Sequence, residues 1–165
     1  MELEKILLFK IRSRVGRWWL LDRLMAHVAL RGPLWMFVVM GWVFWIGGAG
    51  GKLTVVQAIA AAVLTRGLNE LIGRVRHRDR PFVRENFVPL IQHRPSFSFP
   101  SNHSACGFAL AVAVFCGAPA YGVLMLLIAG WMAYARLYVG VHYPLDVLAG
   151  ALIGSLVAWL LHLLI

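Results

Sequence analysis

Beyond Arg94 the chain carries only two charged side chains, Arg136 and Asp146. Around them run three apolar stretches, residues 101–117, 119–138 and 144–165. A helix needs about 20 predominantly apolar residues to cross a bilayer, and residues 33–50 and 53–72 have the same character. The chain as a whole is 61% hydrophobic and 14% charged, whereas a soluble domain carries about 25% charged residues. Inside a bilayer every backbone polar group must be satisfied within the protein, which leaves helices or closed barrels. Continuous apolar runs of this length select helices. The expected fold is therefore all-α: an integral membrane helical bundle of about five transmembrane helices, forming one domain over residues 1–165.

Two segments stand outside the spans. Residues 1–31 mix Ile6, Leu7, Leu8 and Phe9 with Lys5, Lys10, Arg12, Arg14 and Arg17, followed by Trp18 and Trp19. Basic residues and tryptophans suit the headgroup level, so this segment reads as one or two interfacial amphipathic helices. Its apolar run is too broken for a cleaved signal peptide. Residues 73–100 hold Arg74, Arg76, Arg78, Arg80, Arg84 and Arg94 together with Pro81, Pro89, Pro95 and Pro100. That composition forbids a span and predicts a long polar loop, of the kind that carries function.

The net charge of +9 raises three classes of partner: nucleic acid, anionic lipid and phosphate-bearing substrate. Nucleic acid is excluded because the basic blocks flank apolar spans and no recognisable binding module is present. Cys106 and Cys116 are ten residues apart. On one helix that is roughly 15 Å, too far for a disulfide within the chain. No zinc-type spacing and no carboxylate cluster exists, so no metal and no other cofactor is expected.

Connectivity brings three pieces to one side of the membrane: Arg80-Pro81 in the loop, Pro100-Ser101-Asn102-His103 at the start of the third span, and Arg136 to Asp146 between the fourth and fifth. Ser101 or Asn102 can cap a helix whose first-turn N–H groups and dipole favour an anion. Arg80 and Arg136 offer planar donor forks suited to phosphate. His142 and Asp146 are four apart and share a face if a helix opens near Pro144. A carboxylate there would fix the imidazole tautomer and leave the other ring nitrogen free to attack. Together the pieces supply phosphoryl transfer: His142 as nucleophile, Asp146 as its orienting group, His103 as the acid for the leaving oxygen, and Arg80, Ser101, Asn102 and Arg136 as phosphate ligands.

Arg80-Pro81, Pro100-Ser101-Asn102-His103 and Arg136-x5-His142-x3-Asp146 resemble the three signature motifs of the type 2 phosphatidic acid phosphatase family in order and spacing. The resemblance implies a helical membrane phosphatase working through a phosphohistidine. Three positions depart from the family pattern. Gly73 stands where a Lys is usual, Asn102 where a Gly is usual, and Ala135 where a Ser is usual. The first two departures are similar to the undecaprenyl-diphosphatase branch. The expected function is metal-independent hydrolysis of undecaprenyl diphosphate to undecaprenyl phosphate. The alternative is a broader lipid phosphatase acting on phosphatidylglycerophosphate or phosphatidic acid. A transporter or non-catalytic lipid-binding protein fits the joint presence of His103, His142 and Asp146 poorly, and a soluble-halide oxidant has no need of five spans.

The expected partners are a lipid phosphate or diphosphate and membrane lipids. Five spans put the N-terminal segment and the site on one side, which carries nearly all the Lys and Arg and which the positive-inside rule makes cytoplasmic. The resemblance implies the outer face of the plasma membrane. Arginines kept for phosphate do not report topology, so the expectation is a multi-pass plasma-membrane protein with its site facing outward.

Overall fold

A computed structural model describes residues 2–164, and among them the regular structure is entirely helical. The elements are α1 (Glu2–Arg12), α2 (Trp19–Ile46), α3 (Gly48–Val75), a single turn α4 (Pro81–Arg84), α5 (Asn102–Gly117), α6 (Pro119–Tyr138) and α7 (Pro144–Leu164). Four helices, α2, α3, α6 and α7, are long and apolar enough to cross a membrane. The protein is a membrane protein built as an all-helical bundle.

The 16-residue α5 is about 24 Å long, short for a bilayer, because it is the axis around which the others pack. It touches α7, α3, α6 and α2. Its buried residues are small, among them Ser104, Ala105, Gly107, Ala109, Ala111 and Ala113. Small residues let backbones approach closely where lipid removes the usual hydrophobic drive between helices. The tightest approach is to α7. A Cβ on Gly154 would collide with the carbonyl of Ala105, and one on Gly150 with the carbonyl of Ser101. The four-residue glycine spacing therefore serves contact within the chain, and it sets the height of α7 against the start of α5.

The N-terminal third differs in its joints from the pattern read off the sequence. Residues 19–31 do not form a separate interfacial helix. They continue through Pro33 into the first span as one 28-residue helix. Pro33 sits inside the helix, where it opens none. Only α1 lies apart. Asp22 locks the start of α2: its carboxylate accepts from the Tyr138 hydroxyl at 2.6 Å and from the Gly16 N–H at 2.9 Å. The second joint is Gly140 between α6 and α7, with φ of +84°. Glycine tolerates that left-handed conformation without steric cost. A side chain there would also strike the Arg12 guanidinium and the Phe87 ring.

Gly154→Val should lower the melting temperature in detergent severely, because a branched side chain must push α5 and α7 apart and overpacking costs about 1–3 kcal/mol or more. Gly130→Ala, whose Cβ meets nothing within 4 Å, is the matched control and should melt like the parent. Equal melting of both variants would show that the α5–α7 approach is not what holds the bundle.

Candidate active site

The segment 139–143 leaves α6, turns at Gly140 and presents His142 before Pro144 starts α7. The imidazole is 2% exposed. Its Nδ1 lies 2.9 Å from the carbonyl oxygen of Ser98, and its Nε2 lies 3.1 Å from Nη1 of Arg80. A guanidinium can only donate and a carbonyl can only accept. The two contacts together therefore assign the tautomer: Nδ1 carries the proton and Nε2 presents a lone pair. Burial pushes the imidazole pKa down to about 3, against the opposing pull of Asp146. His142 is thus neutral at pH 7, the state a nitrogen nucleophile requires.

Asp146 lies at the centre of a network but does not hold His142 directly. Its Oδ2 is 3.9 Å from Nδ1, beyond hydrogen-bond range. The carboxylate instead accepts from Nη1 of Arg78 at 2.7 Å, from the Ser98 hydroxyl at 2.5 Å and from the Tyr143 N–H at 2.8 Å. The last contact arises locally. With Pro144 opening the helix, the third helical residue reaches back to the N–H just before it, half of a capping box. Ser98 then bridges, giving its hydroxyl to Asp146 and its carbonyl to His142. Asp146 fixes the imidazole through Ser98 and offsets positive charge on the ring from 3.9 Å.

Arg80 and Arg136 flank the ring. Arg80 caps α4, is 6% exposed, and donates to the Val141 carbonyl at 2.9 Å and to the Ser96 hydroxyl at 3.1 Å. Burial lowers its pKa to about 10, so it stays charged at neutral pH. Arg136 is 1% exposed. Its Nη1 donates to the Ala29 carbonyl at 3.3 Å, while Nε and Nη2 have no partner among the described residues. The anchor comes from Pro33. A residue four beyond Ala29 would normally cover that carbonyl, and proline has no N–H to do so. The freed carbonyl takes one arm of Arg136 and leaves the others aimed inward. Two unpaired guanidinium nitrogens at this depth cost several kcal/mol unless an anion meets them.

Across from them begins α5. Ser101 is its N-cap, accepting from the Ser104 N–H at 3.5 Å, which leaves its own O–H free to donate. Asn102 is held by Asn69, whose Nδ2 donates to Asn102 Oδ1 at 3.1 Å. That frees the Asn102 amide N–H groups to face other partners. His103 lies within electrostatic reach of Arg136, His142, His93 and Arg80. Asn102 and His103 also line a cavity of about 330 Å³ whose other walls are almost wholly apolar. The structure brings His103, His142, Asp146, Arg80, Ser101, Asn102 and Arg136 to one end of the bundle. Among the described residues no group of three metal-ligating side chains occurs.

Three contributors were not visible as such in the sequence. Ser98 is fully buried and joins the carboxylate to the ring. Its flanking phenylalanines in a polar loop were the available hint. Arg78 pairs with Asp146 on one side and with Glu4 of α1 at 2.8 Å on the other, and it lies over the Tyr143 ring at 4.1 Å. Asn69 reads as the polar end of a span but is fully buried, with its own Oδ1 unpartnered. Gly73, the position of the usual Lys, lies under the Phe97 ring, which any side chain would strike.

The PAP2 superfamily profile matches residues 52–165. The chain is 37% identical over 108 residues to the Bacillus licheniformis bacitracin transport permease protein BcrC, covering 65% of this chain and 53% of that protein. It is 36% identical over 117 residues to the Escherichia coli putative undecaprenyl-diphosphatase YbjG, covering 69% of this chain and 59% of that protein. The chain thus spans between half and three-fifths of these relatives. The crystal structure of Aquifex aeolicus LpxE superposes with a TM-score of 0.81 at 29% identity, covering 96% of this chain and 94% of that one.

Two outcomes follow. Imidazole ¹⁵N spectra should show His142 as the Nδ1–H tautomer, unchanged between about pH 8 and pH 5, where an ordinary histidine titrates near 6.5. An imidazolium at pH 6 would contradict the site. Pro33→Ala restores an N–H that competes for the Ala29 carbonyl. It should weaken binding of orthovanadate, a phosphate mimic, by about tenfold, the loss of one charged hydrogen bond. Unchanged binding would show that Ala29 does not anchor Arg136.

Proposed function

The chain belongs to the PAP2 superfamily, and from that membership we propose that it is a membrane lipid phosphatase that hydrolyses undecaprenyl diphosphate to undecaprenyl phosphate through a phosphohistidine, without a metal. The observation that carries the reading is a neutral His142 whose proton-free Nε2 meets Arg80, together with buried Arg136, whose Nε and Nη2 have no partner among the described residues. One supplies an electron pair and the other waits for the oxygens of a tetrahedral anion.

The terminal phosphate enters between Arg80 and Arg136, and Arg80 exchanges its contact with Nε2 for one with a phosphate oxygen. Nε2 attacks phosphorus as the bond to the bridging oxygen breaks. The N–P bond forms and the bond pair passes to the leaving oxygen, which His103 can protonate. The ring becomes cationic, and the buried Asp146 carboxylate offsets that charge across the Ser98 bridge. His103 then takes a proton from water, which attacks the phosphohistidine and releases orthophosphate. Donors already in place at the developing charge need no reorganisation, which is where most of such rate enhancement originates. The apolar cavity beside His103 offers the lipid chain a path, and the similarity to a putative undecaprenyl-diphosphatase supports the choice of lipid.

The site faces outward in this reading. The basic residues that argue for a cytoplasmic face are largely committed to other work. Arg78 is paired with Asp146 and Glu4, Arg80 with His142 and Ser96, and Arg12 lies over Phe87.

Phosphate release by the purified protein in chelator should be fastest on undecaprenyl diphosphate, slower on phosphatidylglycerophosphate and phosphatidic acid, and lost by 10³-fold or so in His142→Ala, the order expected for a removed nucleophile. Full activity in that variant would end the mechanism. A preference for a phosphatidyl monophosphate would keep the mechanism and change the substrate. For orientation, an Asn86→Cys variant on the exposed loop should react with an impermeant maleimide on intact cells; reaction only after lysis would place the site inside.

A further inference from the structure

The face of α3 that carries Gly73 and Asn69 also carries Arg66. Arg66 lies three residues before Asn69 and seven before Gly73, so the three project from one side of the helix. Asn69 meets Asn102, and Arg66 reaches the cavity that Asn102 and His103 line from α5. Of the cavity's residues, Arg66 is the one with a charge, and its neighbours there include Met36, Ile59, Leu110 and Met132. No carboxylate among the described residues pairs with it. Glu70, one turn along the same helix, is taken by Arg74 at 3.2 Å. The Arg66 guanidinium is exposed, at the wall of an apolar cavity on a membrane-crossing helix, and with no carboxylate partner among the described residues it marks a site for an anion.

Its place relative to the scissile bond says which anion. Arg80, Arg136 and His142 surround the phosphoryl group that is transferred. The cavity is lined by His103, the proposed acid for the leaving oxygen, and gives the departing lipid its path. A phosphate monoester of an alcohol leaves as an uncharged alcohol once His103 protonates its oxygen, and it needs no cation on that side. A diphosphate leaves as a lipid phosphate. His103 protonates the former bridging oxygen there too, but the non-bridging oxygens of the departing phosphate keep it an anion, which an alcohol is not. We propose that Arg66 is a binding site for this second phosphate, donating to its non-bridging oxygens, and so selects diphosphate lipids over monophosphate lipids. The proposal rests on reading the site as a phosphatase that works through His142.

The test uses the full chain in detergent with a prenyl diphosphate as substrate and orthovanadate as inhibitor. Vanadate fills only the place of the transferred phosphoryl group, so it reports Arg80, Arg136 and His142 without reaching Arg66. Arg66→Gln should lower kcat/KM for the diphosphate by about 100-fold, the scale of a lost charged donor to an anion. Its inhibition by vanadate should stay within about twofold of the parent. Arg66→Lys, which keeps the charge, should recover most of the loss. If kcat/KM is unchanged in Arg66→Gln, or falls together with vanadate binding, Arg66 is a surface or folding residue and the proposal is overturned. If the parent protein hydrolyses phosphatidic acid but no diphosphate, the undecaprenyl reading itself falls and the second phosphate site falls with it.

Discussion

The site depends on one buried carboxylate. Asp146 is fully enclosed, and an isolated buried carboxylate is far too costly to persist. It is kept charged by meeting three donors from three parts of the chain: the Arg78 guanidinium, the Ser98 hydroxyl and the Tyr143 amide. Each donor then holds something else. Arg78 ties in Glu4 and with it α1. Ser98 turns its carbonyl to His142 and fixes the tautomer. Tyr143 sends its hydroxyl to Glu85, which also meets Lys5 at 3.1 Å. Removing the carboxylate would leave the buried Ser98 hydroxyl and Tyr143 amide without that acceptor and Arg78 with Glu4 alone as its ion-pair partner. The network explains why α1, the polar loop and the start of α7 keep one geometry.

The arginines solve the complementary problem. The phosphate site proposed above needs cations whose N–H groups are not already spent. Arg136 pairs one arm with a carbonyl that Pro33 has released, and its Nε and Nη2 have no partner among the described residues. For Arg80 the holding partners are a backbone carbonyl, a serine hydroxyl and the imidazole itself, all neutral and all exchangeable for phosphate. Among the described residues neither arginine forms an ion pair with a carboxylate. Arg78, by contrast, is occupied with Asp146 and Glu4 and serves as a strut.

Reading the chain as residues alone went far for the fold and the motif positions, and less far for their joints. Apolar runs locate spans because the bilayer is about 30 Å of hydrocarbon wherever the helix lies. Pro33 shows the limit. Proline opens helices far more readily than it continues them, so the pattern placed a boundary there. The bundle instead uses the missing N–H. Asn69 likewise looks like a span end meeting water, and becomes a buried contact only because α5 passes beside it.

What the amino-acid order determined by itself was the all-helical membrane bundle, the polar loop, and the set of charged and histidine side chains that must gather at one end. Those follow from hydropathy and connectivity, which are one-dimensional. What only the tertiary structure decided was who touches whom inside that set. His142 is held by the Ser98 carbonyl and only indirectly by Asp146, Arg78 supports the carboxylate, and Arg66 looks into the cavity. Hydrogen bonds form over about 3 Å, and the residues concerned lie between 44 and 68 positions apart. Their geometry depends on how closely α5 and α7 pack, which no local pattern in the chain encodes.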